Sequence, residues 1–125
     1  MRIKITGGML ANPAGEKRGR QDVLIEDGVI KAIGHNLGDA DKVIDAAGKT
    51  VFPGFIDLPC HVREPGQEHK EDIASGTRAA ARGGFTAVCC MPNTTPPVDN
   101  AAVCALVLEK ARRGSVKVYP VGAAT

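Results

Sequence analysis

The chain has 125 residues, 43% of them apolar and 24% charged, with a formal net charge of +2, the composition of an ordinary folded domain rather than of a disordered or strongly basic segment. So small a charge gives no electrostatic footprint for nucleic acid or an anionic membrane, and 3% aromatic residues leave no base-stacking surface. No run of roughly 18 apolar residues is present to span a membrane, and Met1-Arg2-Ile3-Lys4-Ile5 alternates charge with hydrophobe instead of opening a signal peptide, so a cytoplasmic protein is expected.

Up to about residue 50, short alternating segments are separated by turn signals. Strands are predicted over residues 1–6, 23–26, 29–33 and 43–45, with Gly7-Gly8 ending the first and Asp27-Gly28 joining the second to the third. Asp-Gly between alternating hydrophobes is a strong hairpin signal, because both turn residues must take positive φ. The basic cluster Lys17-Arg18-Gly19-Arg20 is interrupted by glycine and reads as a solvated loop. Residues 1–50 therefore read as a small β unit.

From residue 51 the periodicity changes. A strand over 51–58, a helix over 72–82, a strand over 85–91, a helix over 100–113 and a strand over 116–121 are predicted, an α/β alternation that implies parallel strands joined by right-handed helical crossovers. Gly83-Gly84 and Gly114 are placed to stop the two helices through left-handed caps, and Asp99 to start the second as its N-cap. Arg112 and Arg113 suit the negative end of that helix dipole. Ala79-Ala80-Ala81 reads as helix-forming residues that pack closely on the sheet. The cysteines, Cys60, Cys89, Cys90 and Cys104, show no Cys-x-x-Cys spacing and read as small core hydrophobes, with Cys60 set apart by the polar segment that follows it.

Candidate chemistry gathers at two predicted strand ends, residues 59–66 and 91–99. On a continuing strand, positions 59, 61 and 63 share one face while Cys60 and Val62 point the other way. On such a face His61 serves either as a hydrogen-bonded core residue or as a metal ligand. The planar fork of Arg63 suits bidentate recognition of a carboxylate, or equally a surface salt bridge. Asn93 offers both a donor and an acceptor to a ligand, and ahead of Thr94-Thr95-Pro96-Pro97 it also suits a turn. Asp57 reads as a hydrogen-bonding neighbour of the site and Glu64 as a carboxylate that orients the loop. Were His61 a ligand, a bound zinc ion would lower the pKa of its water and polarise a substrate oxygen.

Pro59-Cys60-His61-Val62-Arg63-Glu64-Pro65-Gly66, taken with Met91-Pro92-Asn93-Thr94, resembles the dihydroorotases, in which the strand reads His-x-His-x-Arg before Glu-Pro-Gly. Here Pro59 stands where that pattern has its first histidine. The resemblance extends to Val23-Leu24-Ile25-Glu26-Asp27-Gly28-Val29-Ile30 and Pro53-Gly54-Phe55-Ile56-Asp57. Allantoinases and dihydropyrimidinases share the barrel but act on substrates without the carboxylate that Arg63 would grip.

The resemblance implies the first three strands of a metal-dependent (β/α)₈ barrel over residues 51–125, preceded by a β-sandwich-like segment over 1–50. It implies interconversion of dihydroorotate and N-carbamoyl-aspartate in pyrimidine synthesis. It carries over His61 as a zinc ligand, and His61, Val62, Arg63 and Asn93 as substrate contacts. Further ligands and the acid/base carboxylate come in the family from later strands, and a barrel of about 250 residues exceeds this length, so an N-terminal portion, catalytically silent by itself, is expected. His35 and His69 match no ligand position. Implied partners are the small-molecule substrate, further copies of the chain and aspartate transcarbamoylase. A non-catalytic dihydroorotase-like scaffold subunit held by that last enzyme is the competing expectation.

Overall fold

The computed structural model describes residues 1–11 and 18–124. The chain divides into two compact units, Met1–Pro53 and Gly54–Thr125. The first holds β1 (Arg2–Thr6), β2 (Met9–Ala11), β3 (Arg18–Arg20), β4 (Asp22–Glu26), β5 (Val29–Gly34), β6 (Lys42–Asp45) and β7 (Thr50–Val51). These form two sheets, ordered β5-β4-β1-β6 and β3-β2-β7. Asp27 and Gly28 turn β4 into β5 at φ 50° and 81°, the left-handed pair that a two-residue hairpin needs.

Strands β2 and β3, with three residues each, lie outside the sequence expectation, and β7, with two, meets the strand expected over 51–58 only at Val51. Alternation cannot register over so few positions. Arg18–Arg20, expected as loop, is strand, with Gly19 opposite Leu10 in an antiparallel ladder. Backbone pairing of this kind needs no apolar side chain, so the charge pattern conceals it. Lys17 lies outside the described residues.

The second unit runs β8 (Phe55–Cys60), α1 (Ile73–Arg82), β9 (Phe85–Cys90), α2 (Ala101–Ala111) and β10 (Lys117–Pro120). Its sheet is parallel throughout, in the order β10-β9-β8. The predicted strand over 51–58 is split, because Pro53 has no N–H for a ladder and Gly54 sits where an added Cβ would come within 2.9 Å of Thr86 Cβ. Ile73 of α1 and Val103 and Val107 of α2 pack on Val88, Cys90 and Val118 of the sheet, with Val62 and Val98 from the loops. Ile73 and Val107 are 1% and 2% exposed, and burying a side chain of that size stabilises by about 1.5–3 kcal/mol.

Capping fixes both helices. Asp72 is the N-cap of α1, accepting from Ser75 N–H at 2.6 Å, while Asp72 N–H donates back to Ser75 Oγ at 3.3 Å, which satisfies two otherwise orphaned donors. For α2 the expected cap, Asp99, is displaced by its neighbour. Asn100, in extended backbone, accepts from the N–H groups of Ala102 at 3.0 Å and Val103 at 3.1 Å. At the far ends, Gly84 takes φ 84° as expected, but Gly114 provides no left-handed cap. The C-cap of α2 is Arg112 in right-handed backbone, and Gly114 instead admits a close approach, since a Cβ there would lie 3.2 Å from Thr77 Cγ2. Thr77, fully buried, donates to Ile73 O at 2.6 Å and accepts from Ser115 N–H at 3.1 Å, tying α1 to the entry of β10. Of the three alanines expected against the sheet, Ala80 packs on the core while Ala79 and Ala81 are exposed.

Candidate active site

Both loops that leave the C-terminal ends of β8 and β9 are joined along their length. Met91 N–H donates to Cys60 O at 2.9 Å and Thr95 N–H to Pro65 O at 3.0 Å. Between these rungs His61 Nδ1 meets Asn93 Oδ1 at 3.1 Å. Gly66, at φ 93°, lies so close to the second loop that a Cβ would stand 2.7 Å from Thr95 Cβ. The two segments singled out by sequence therefore form one surface.

Each side chain is placed differently from a continuing strand. β8 ends at Cys60, and Arg63 takes φ 61°, so the alternation expected to align 59, 61 and 63 stops before His61. Pro59 sits in an edge strand whose register shifts between Asp57 and Cys60, the kind of position where a residue without an N–H is tolerated. His61 and Asn93 are exposed and Arg63 is half-buried. Val62 is 4% exposed and belongs to the hydrophobic core, so its side chain faces away from any ligand and only its backbone remains available. Asp57 is half-buried in β8.

The His61–Asn93 contact orients the imidazole. A carboxamide oxygen only accepts, so Nδ1 is the donor in this contact, and Nε2 is the ring nitrogen that the contact leaves unused. Arg63, two residues on, forms no ion pair among the described residues. Its fork is free for an anion.

Glu64 does the orienting that its place in the motif suggests, by two bonds no motif states. Its carboxylate, 7% exposed, accepts from Ile73 N–H at 2.9 Å, at the start of α1, and pairs closely with Lys110 of α2. The Glu64 carboxylate in turn raises the Lys110 pKa above its ordinary value, with the hydrogen bond the larger cause. Loop, α1 and α2 are thus fastened at one buried group. A cleft of about 300 Å³ opens there, lined by Asp72, Ile73, Lys110 and Arg113 among others, and His61, Arg63 and Asn93 do not line it. Sequence reasoning missed Lys110 and Thr95. Gly66, a residue that tolerates left-handed backbone and close approach, was the available signal for the second.

Cys60 and Cys90 stand in register on β8 and β9. Burial, and then the neighbouring Cys60, push the Cys90 thiol up to about 12, and burial likewise raises Cys60. These are protonated core thiols, and Cys60 turns toward the core rather than the site. Among the described residues no group of three or more His, Cys, Asp or Glu side chains could hold a metal ion. With proline at 59 and a single imidazole nearby, the described donor set does not fit a zinc centre.

Residues 48–125 match the family model described as Dihydro-orotase-like. The chain belongs to this family. It is 55% identical over 127 residues to the dihydroorotase of Syntrophotalea carbinolica and 48% identical over 128 residues to that of Trichlorobacter lovleyi, in each case across 100% of this chain and 30% of the relative. The chain thus spans about 30% of the length of these relatives. Among solved structures, the L-hydantoinase (dihydropyrimidinase) from Arthrobacter aurescens superposes with a TM-score of 0.86 at 26% identity, over 96% of this chain and 27% of that one. The dihydropyrimidinase from Brevibacillus agri gives 0.80 at 30% identity, over 96% and 26%. The dihydroorotase-like chain therefore has the mixed α/β fold of the N-terminal region of cyclic-amide hydrolases. No described helix is long and apolar enough to cross a membrane.

Proposed function

We propose that the chain is the N-terminal portion of a dihydroorotase, an enzyme that adds water across the ring amide of dihydroorotate to give N-carbamoyl-aspartate, and reverses that step in pyrimidine synthesis. In this reading the second unit supplies the first three strands of a (β/α)₈ barrel, and the paired loops after β8 and β9 form one wall of its site. Arg63 binds the substrate carboxylate through both arms of its guanidinium, and Asn93 and His61 face the polar edge of the ring. His61 offers Nε2 as one metal donor toward a centre whose other donors the described residues do not hold. The enzyme acts in the cytoplasm.

The observation that supports this reading is a half-buried Arg63, without an ion-pair partner among the described residues, two residues from an imidazole oriented by Asn93. A hydantoin or dihydropyrimidine ring carries no carboxylate for that arginine. The test joins this chain, carrying Pro59→His, to the part of the Syntrophotalea carbinolica dihydroorotase that the chain does not match. Arg63→Ala is expected to lower kcat/KM for dihydroorotate by roughly 30- to 150-fold, corresponding to about 2–3 kcal/mol for a charge-assisted pair, with little effect on hydantoin. Equal losses on the two substrates would remove the carboxylate role from Arg63.

A further inference from the structure

We infer that Lys110, a residue of α2 outside the candidate site, positions Arg63 by holding Glu64. The inference deepens the functional reading above and rests on it only where the substrate carboxylate is concerned. Glu64 N–H donates to Val62 O at 2.7 Å across Arg63, whose φ is 61°. A three-residue turn closed around a positive φ is rare and strained, and such backbone persists only where the surrounding structure over-determines it. Both flanks of Arg63 are fixed in this way. Val62 is buried in the hydrophobic core. Glu64 is held by its carboxylate, which gives one oxygen to each partner: Oε2 accepts from Ile73 N–H at 2.9 Å and Oε1 pairs with Lys110. With its neighbours committed to the interior, Arg63 is the residue of the turn that stays half-buried and without an ion pair among the described residues.

Of the two holds on Glu64, Lys110 is the one supplied by a side chain. Exposed ion pairs add little, because water screens them and long side chains must be ordered, and the Lys110 side chain is itself 42% exposed. Its partner decides the matter. Glu64 is buried, so removing the ammonium leaves a buried carboxylate oxygen unpaired, which is costly away from water. That carboxylate gains by turning outward, and moving residue 64 outward opens the turn at Arg63. Lys110 lines the cleft beside Glu64, Asp72 and Ile73, which His61, Arg63 and Asn93 do not line, so its action on the site runs through the loop and not through substrate.

Hydrogen exchange of the chain itself reads the turn without any substrate. In Lys110→Met, Gln67 N–H, which donates to Arg63 O at 3.1 Å, is expected to exchange at least about tenfold faster while the β9 amides keep their rates, since a local opening frees local bonds only. Lys110→Arg, which keeps a charged donor, is expected to preserve the parent's Gln67 rate. An unchanged Gln67 rate in Lys110→Met overturns the proposal. So does an equal acceleration at β9, which would make Lys110 a support of the whole unit. In the joined enzyme carrying Pro59→His, Lys110→Met is expected to raise KM for dihydroorotate at least about tenfold with kcat changed far less, as for a misplaced binding group, and to leave hydantoin turnover as it was. In an Arg63→Ala background it should add nothing, the non-additivity of a residue that acts through another. Additive losses overturn the proposal. Should Arg63→Ala itself spare dihydroorotate, the carboxylate reading falls, and the exchange measurement alone then decides the positioning role.

Discussion

Gly66 shows most directly how single residues join the two loops of the candidate site. Any side chain there meets Thr95 while holding φ at 93°, so Gly66→Ala combines a steric clash with a left-handed backbone. A loss of about 1–3 kcal/mol in denaturant unfolding is expected. An unchanged midpoint would mean that the loops are not in contact. Arg63 is the contrasting case, a non-glycine residue at φ 61°, a conformation costing about 1–2 kcal/mol and held by Gln67 N–H donating to Arg63 O at 3.1 Å. The cysteines separate by the same local reasoning. Thiolate is the reactive form, and Cys90 holds its proton to about 12. Iodoacetamide at pH near 8 should therefore leave Cys90 unmodified in the folded chain and modify it once the chain is unfolded in denaturant, which peptide mass mapping would show. Equal labelling in the two conditions would contradict the buried setting of Cys90.

The elements are where the sequence was most legible, and their boundaries where it was least so. Hydrophobic alternation and the Asp-Gly and Gly-Gly punctuation located β1, β4, β5 and β6 and the whole βαβαβ order of the second unit, because each signal is local and spans several residues. The N-cap of α2 was placed one residue early, since Asp99 and Asn100 are equally good caps by type and only backbone conformation chooses between them. Asn100→Ala should accordingly cost about 1 kcal/mol and Asp99→Ala much less. Equal costs in paired denaturation curves would return the cap to Asp99. The short strands β2 and β3 were hidden, since what pairs them is backbone. In the candidate site, the residue types were legible and their relation was not: nothing in the spacing of His61 and Asn93 states that a hydrogen bond crosses between two loops. Nor does it state that Arg63 leaves the strand through a left-handed turn, or that Val62 is spent on the core.

At the scale of the whole molecule, charge and burial set the response to pH on both sides of neutrality. The carboxyls of Asp72 and Glu68 are held below their ordinary values of 3.8 and 4.5, chiefly by backbone N–H donors at Ser75 and Gly66. In acid the unfolded chain takes up these protons before the folded one does. Their contribution is therefore present above the unfolded values and is lost as pH falls through the lower folded ones. Cys90 works in the opposite sense, its folded value raised from 9.0 to about 12 by burial and then by Cys60. Above pH 9 the unfolded thiol ionises first, so stability present below that point declines as pH climbs toward 12. Lys110, raised above 10.5 by its bond to Glu64, adds to the same alkaline loss, since its folded form keeps a proton that the unfolded form releases. Thermal melting of the chain should thus show a plateau around neutrality with an acid shoulder beginning near pH 4 and an alkaline one near pH 9. Cys90→Ala separates the causes: it should lower the plateau, through the cavity it leaves, and make the alkaline decline shallower. A parallel downward shift, with the alkaline slope unchanged, would show that Cys90 titrates alike in both states and that its burial does not shape the pH response.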